Sequence, residues 1–261
     1  MAAAAPDDDR WRAFYREQCA DAVSALAAAY PGERSLYVDV LDLYDFDQEL
    51  AGDLFSNPDE VLDRARATLR GLHEPFGRVN VRLVNHPGLL AIGALRTRHV
   101  GELVTVEGTA SEVDGVQAGL ATAVYACGAC GGATPVRPEG SRHEPPLRCA
   151  ECGDPGALVL RPGRSEYVDR QRVVIEGEGP DGAVRRLDVS LDDDLVEAIR
   201  PGETVVVTGV LRLEPTDHAS RYAFHLDGLS VEAAREGDDN RDADDAIQAL
   251  IESRWQFVVD R

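Results

Sequence analysis

Four cysteines fall in two pairs, Cys127-Gly-Ala-Cys130 and Cys149-Ala-Glu-Cys152, with 18 residues between the pairs. Thiolates spaced this way sit in one tight turn, and two such turns supply the four-sulfur tetrahedron that zinc prefers. Each pair runs into glycine, Gly131-Gly132 and Gly153, which lets the backbone turn beneath the sulfurs. Four protein ligands leave no position for an activated water, so the implied zinc is structural rather than catalytic. His143 lies between the pairs and, with four cysteines available, reads as a surface residue of the loop. The fifth cysteine, Cys19, falls on the apolar side of a helical pattern and reads as a small buried hydrophobe. Paired cysteines in a chain of 261 residues fit a reducing compartment better than a disulfide framework, and a cytoplasmic location is expected.

Other chemistry is excluded by what the sequence lacks. All 27 basic residues are arginine. Without lysine there can be no phosphate-binding Gly-x4-Gly-Lys-Ser/Thr loop and no Schiff base. No Gly-x-Ser-x-Gly elbow accompanies the serines and six histidines. Asp192-Asp193-Asp194 precedes Leu195-Val196-Glu197-Ala198-Ile199 and reads as a helix start favoured by the macrodipole, not a metal site. The chain is therefore expected not to be an enzyme. Its 47 acidic residues give a formal charge of −20, spread along the whole length. Spread acidity suits a salt-rich cytosol, where the Debye length shrinks to about 3 Å at molar salt, and a halophilic source is expected. The start, MAAAAPDDDR, is not a signal peptide, and no apolar run is long enough for a membrane span.

The elements that must position the cysteines come in three stretches. Residues 10–30 carry Trp11, Tyr15, Cys19, Val23, Leu26 and Tyr30 at helical spacing until Pro31-Gly32, predicting one helix. A short strand is expected over Leu36–Val40, a helix from Asp47 to Phe55, and a third helix opened by Asn57-Pro58-Asp59-Glu60 and ending near Leu72. From Val79 onwards strand patterns dominate to about residue 232, bounded by Gly, Pro and Asp turns, which suggests a small barrel. The Gly-, Pro- and Cys-rich stretch 126–160 interrupts them as an inserted knuckle. An acidic linker follows, and then Ile247, Leu250, Ile251, Trp255 and Val258 mark an amphipathic helix.

Together these residues resemble the N-terminal region of archaeal and eukaryotic minichromosome maintenance (MCM) replicative helicases. The resemblance rests on Val38-Asp39-Val40-Leu41-Asp42-Leu43, Phe46–Ala51 and Asn57-Pro58 in the helical start, and on Leu95–Val104 and Val106-Glu107-Gly108 in the barrel. The cysteine knuckle, Ser165–Gln171, Leu187-Asp188-Val189, Asp193–Val196 and Pro201–Arg212 complete it, over residues 33–232. It implies an α+β, mainly β fold, with a helical subdomain at 1–92 and an OB-fold built from 93–124 and 161–233. A zinc-binding insertion at 125–160, the acidic linker at 234–241 and a C-terminal helix at 242–261 complete the expected organisation.

The family's AAA+ motor would come next, but only the linker and one helix follow, so the chain reads as a free-standing N-terminal region or a degenerate paralogue. Val116-Gln117-Ala118-Gly119 stands where the family carries basic residues, and Glu102 where lysine is common. In the expected hairpin Glu214–Tyr222 only Arg221 and His218 remain basic. The loop Glu178–Gly182, which in the family faces the motor, is short.

Two functions follow from the resemblance. One is a non-catalytic replication protein that binds single- or double-stranded DNA weakly and in a salt-dependent way, at the nucleoid. Its candidate contacts are Arg96, Arg98, Arg172, Arg185, Arg186, Arg212 and Arg221, each otherwise a solvated or salt-bridged surface arginine. The other is a regulatory interaction module that joins a homo-oligomer or an MCM helicase assembly without gripping DNA. A translation factor with a zinc ribbon would leave the helical start unexplained.

Overall fold

The computed structural model describes residues 7–74, 76–136, 145–156, 158–179, 181–216 and 220–234. His143, His218 and the expected linker and C-terminal helix beyond Ala234 lie outside the described residues.

The helical module holds α1 (Asp7–Glu17), α2 (Ala20–Ala29), β1 (Ser35–Asp39), α3 (Val40–Phe46), α4 (Gln48–Ser56), α5 (Pro58–Arg70) and β2 (Asn80–Val84). The single helix expected over 10–30 is broken at Gln18-Cys19. At 100° per residue, Val23 on a straight helix would stand about 80° away from Tyr15. The break re-aims α2, so Val23 and Leu26 reach the core already formed by Trp11, Phe14 and Tyr15. Helix α3 was not expected; Asp39 ends β1 and caps α3 by accepting the Leu41 N–H at 2.8 Å. Asp47 caps α4 by accepting from Glu49 and Leu50 and also takes the Arg10 fork, with Nε at 2.7 Å. That hydrogen bond from Arg10 holds the Asp47 carboxyl below its usual range. In α5 Pro58 occupies the first helical position and Asp59 and Glu60 the first turn, while Asn57 makes no side-chain capping bond. Strands β1 and β2 pair in parallel, Val38 opposite Leu83.

Nine further strands follow: β3 (Leu89–Leu90), β4 (Leu103–Val113), β5 (Gln117–Cys127), β6 (Ala133–Val136), β7 (Leu158–Leu160), β8 (Glu166–Glu178), β9 (Val184–Asp192), β10 (Thr204–Pro215) and β11 (Tyr222–Ala233). Five of them close a barrel in the order β4-β8-β9-β11-β10 and back to β4. Only the β9–β11 contact is parallel, and the order and that one parallel pairing define an OB-fold. Alternate residues fill the interior, among them Val106, Ile175, Leu187, Val189, Val207 and Leu226. At Gly209 the β10–β11 register shifts, and a Cβ there would collide with the Asp227 carbonyl oxygen. The shift turns Val210 outward, where with Leu103 and Leu229 it joins the core of the helical module. Module and barrel thus share one apolar seam.

The Asp192–Asp194 run does not start a helix. One 3₁₀ turn, Asp193–Leu195, is all that forms, with Asp193 and Glu197 both at φ near +62°. Tertiary ion pairs outcompete the helix here. Asp192 takes the Arg170 fork, both bonds 2.7 Å. Asp193 faces Arg34 and Arg78, and Asp194 receives Arg82. Arg82, 4% exposed, also donates to the Asp192 carbonyl at 3.0 Å. Asp193 and Asp194 therefore pin the helical module to the barrel around β2, while Asp192 braces β9 against β8.

Candidate functional site

The cysteines sit on a three-stranded ribbon that projects from the barrel. The first half of β5 pairs with β8 outside the closed ring, and its second half carries β6 on one edge and β7 on the other. Tyr125, opposite both Thr134 and Leu160, forms the small core beneath the knuckles. Each knuckle turns through a glycine with positive φ, Gly131 at +73° and Gly153 at +71°. Their N–H groups bond back to the carbonyls of Cys127 and Cys149, at 3.0 and 2.9 Å. An L residue would be strained at either position.

All four sulfurs lie within 4.8 Å of one another. Sγ of Cys127 is 3.8 Å from Sγ of Cys152, and Sγ of Cys130 is 3.7 Å from Sγ of Cys149. A tetrahedral ion with metal–sulfur bonds of ~2.3 Å requires sulfurs about 3.8 Å apart, so the donor set fits zinc as it stands. The backbone N–H groups of Cys152 and Glu151 bring the Cys149 thiol down, the direction that favours a thiolate ligand, while the neighbouring sulfurs push the Cys130 and Cys152 thiols up. Gly132 N–H donates to Sγ of Cys130 at 3.3 Å and Thr134 Oγ1 to Sγ of Cys149 at 3.9 Å, fixing the ligands from outside. With four sulfurs converging, the centre can hold an ion and stiffen the ribbon; it offers no open ligand position.

The arginines expected to meet DNA are scattered over the barrel and mostly engaged. Arg172 pairs with Glu112, Asp114 and Asp188. Arg186 pairs with Glu112 and Glu176, and Arg185 with Asp181 at 2.7 Å. These three arginines and five carboxylates make the β8–β9 face a lattice of paired charges with the carboxylates in excess. Arg212 gives its fork to Asp59 on α5, at 2.8 and 2.5 Å, and its Nε to Asp227 at 3.0 Å. Burial works against charge at Asp227, but the nearby His225 ring and the hydrogen bond from Arg212 prevail and hold its carboxyl low. Arg212 therefore ties the helical module to the barrel. Arg96 spends Nη1 on the carbonyls of Gly93 and Leu95. Arg98 packs against His99 and Glu102, whose carboxyl is raised by burial and opposed by Arg98. Arg221 is exposed at the turn end of the β10–β11 hairpin, beside the exposed ring of Tyr222, and forms no ion pair among the described residues.

Sequence reasoning missed Arg82, Arg170, Asp59 and Asp227. Arg82 occupies a polar position in an alternating strand and looks solvent-facing until the barrel is docked on it. No local pattern marks Arg82 or Asp59, whose partners lie more than a hundred positions away, or the cross-strand partners of Arg170 and Asp227.

Residues 91–215 match the MCM OB domain family model. The chain is 27% identical over 222 residues to the minichromosome maintenance protein MCM of Saccharolobus solfataricus, covering 74% of this chain and 31% of that protein. It is 26% identical over 213 residues to the DNA replication licensing factor MCM4 of Drosophila melanogaster, covering 75% of this chain and 25% of that one. The chain thus spans about a third or less of the length of these relatives. A crystal structure of the N-terminal domain of an archaeal MCM superposes with a TM-score of 0.70 at 26% identity, over 88% of this chain and 98% of that domain.

Proposed function

We propose, from this likeness to the N-terminal region of MCM proteins, that the chain serves DNA replication without catalysis, binding single-stranded DNA and assembling with other copies or with an MCM helicase. The observation that supports this best is the closed five-stranded barrel with the cysteine ribbon inserted between its first two strands, β4 and β8. OB barrels bind single strands by combining cationic grooves with stacking rings. Here Arg221 and Tyr222 offer both on one hairpin. Cys127, Cys130, Cys149 and Cys152 hold a structural zinc ion, which when bound locks the two knuckles together. This stretch of sequence brings no ATP chemistry, since it has no lysine for a phosphate loop. No helix among the described residues is long and apolar enough to cross a membrane, and the site of action we propose is the nucleoid.

Fluorescence anisotropy with single- and double-stranded oligonucleotides across a salt series tests the reading. Binding should be weak and should fall with salt, and Arg221→Ala should lower the slope of log affinity against log salt by about 0.7 on a single strand. Folded protein that binds neither oligonucleotide at low salt refutes it. The ion pairing of Arg172, Arg186 and Arg212 favours the regulatory interaction module as second reading, and that module is where the same negative result would lead.

A further inference from the structure

Charge is distributed unevenly along this chain. Residues 125–165 hold five arginines and four carboxylates, against 22 arginines and 43 carboxylates in the rest. The ribbon is thus near-neutral on a protein of charge −20, although residues 64–101, with seven arginines and one carboxylate, are more basic still. Most arginines outside the ribbon are paired, with Arg12, Arg16, Arg70 and Arg221 as exceptions among the described residues. Twelve arginines of the helical module and barrel lie in ion pairs with carboxylates. Arg161 and Arg164, at the base of the ribbon, are exposed and form none among the described residues.

The turn that carries them is fixed by its own hydrogen bonds. Arg161 N–H donates to the Val124 carbonyl at 2.8 Å, and Arg164 N–H to the Arg161 carbonyl at 3.0 Å. Ser165 Oγ donates to the Arg161 carbonyl at 2.9 Å and accepts from Val124 N–H at 3.0 Å, closing the turn onto β5. Pro162–Arg164 is one 3₁₀ turn, in which side chains three residues apart line up on the same side. Arg161 and Arg164 are three apart. Between them a Cβ on Gly163 would meet nothing within 4 Å, so the outer face of the turn is open. The exposed ring of Tyr167 lies three residues further on.

We propose that this turn, rather than the β8–β9 face of the barrel, is where the chain grips the phosphates of single-stranded DNA, with Arg161 and Arg164 as paired anchors. The proposal rests on the DNA-binding reading above. An arginine already neutralised by carboxylates must discard them before taking a phosphate, and the exchange releases little net counterion. A free arginine meets the phosphate directly, and each such contact on a single strand contributes about 0.7 to the salt slope. Its planar fork also suits phosphate geometry.

Anisotropy with oligothymidine over a salt series compares wild type, the Arg161→Gln, Arg164→Gln double variant and Arg172→Gln, each checked for zinc content and circular dichroism. The double variant should lose about 1.4 of the slope, and Arg172→Gln close to none. Wild-type binding whose slope survives in the double variant and falls in Arg172→Gln places the grip on the barrel and overturns this inference while leaving DNA binding intact. A double variant that changes only sedimentation of the protein with itself, at constant DNA slope, identifies the turn as a docking surface for a second copy and overturns it equally. Absence of binding by folded wild type at low salt removes both this inference and the reading beneath it.

Discussion

Replacing Arg212 by methionine keeps the length and the apolar stem of the side chain while deleting a charge that serves two carboxylates of unequal burial. Asp59 is 64% exposed against 20% for Arg212, and an exposed pair of this kind contributes ~0–1 kcal/mol even when bidentate. Asp227 is half-buried, its side chain 32% exposed, beside His225, whose Nε2 lies 3.5 Å away. Leaving that carboxylate without its arginine should cost roughly 1–2 kcal/mol, between the exposed and the fully buried case, because solvent and His225 both provide partial cover. Asp59→Asn removes only the exposed partner and should cost less than about 1 kcal/mol. Urea denaturation of the single variants Arg212→Met, Asp59→Asn and Asp227→Asn and of the double variant Arg212→Met, Asp227→Asn, followed by circular dichroism, separates the contributions as a double-mutant cycle. The double variant should recover a good part of the loss, since no half-buried charge is stranded. The pH dependence has a definite sign. Asp227 is held below its usual 3.8 in the fold, so the stability from its pairing is complete at neutral pH. It is lost as pH falls through the lowered folded value, and the gap between wild type and Arg212→Met should close there. An Arg212→Met cost no larger than that of Asp59→Asn would refute the assignment of Arg212 as the tie between helical module and barrel.

Purified protein should carry one zinc per chain by elemental analysis, and Cys127→Ser, Cys149→Ser should carry none; chelation should raise amide exchange in residues 128–156 and leave the closed barrel protected, whereas exchange unchanged by metal removal contradicts a structural ion. His86 bonds Thr105 Oγ1 at 2.8 Å and packs edge-on to Phe55, and burial lowers its imidazole to about 4. A neutral folded imidazole gives stability that is complete above the unfolded value near 6.5 and is lost as pH falls towards the folded one, so urea denaturation should show about 2 kcal/mol less stability at pH 5 than at pH 7, and His86→Gln should flatten that difference. Molar salt should raise the denaturation midpoint of a chain with charge −20, and equal midpoints at low and molar salt would count against adaptation to a salt-rich cytosol.

Spacing alone determined the cysteine centre, because two short turns with glycine behind them set the sulfur positions almost independently of the rest of the chain. The alternation of Val104, Val106, Val205 and Val207 likewise fixed which faces fill the barrel, and Pro58 with Asp59 and Glu60 fixed the start of α5. These are local patterns, decided within a few residues. Only the tertiary structure decided what the charges do. Asp192–Asp194 resembles a helix start until Arg170, Arg34, Arg78 and Arg82 arrive from other elements and hold it in a 3₁₀ turn. Arg212 resembles a free surface cation until α5 brings Asp59 against it, 153 positions away in the chain. The break between α1 and α2 belongs to the same class, since its cause is the position of a shared core and not a proline or glycine. An ion pair gains its energy from distance in space, and a sequence records only distance along the chain.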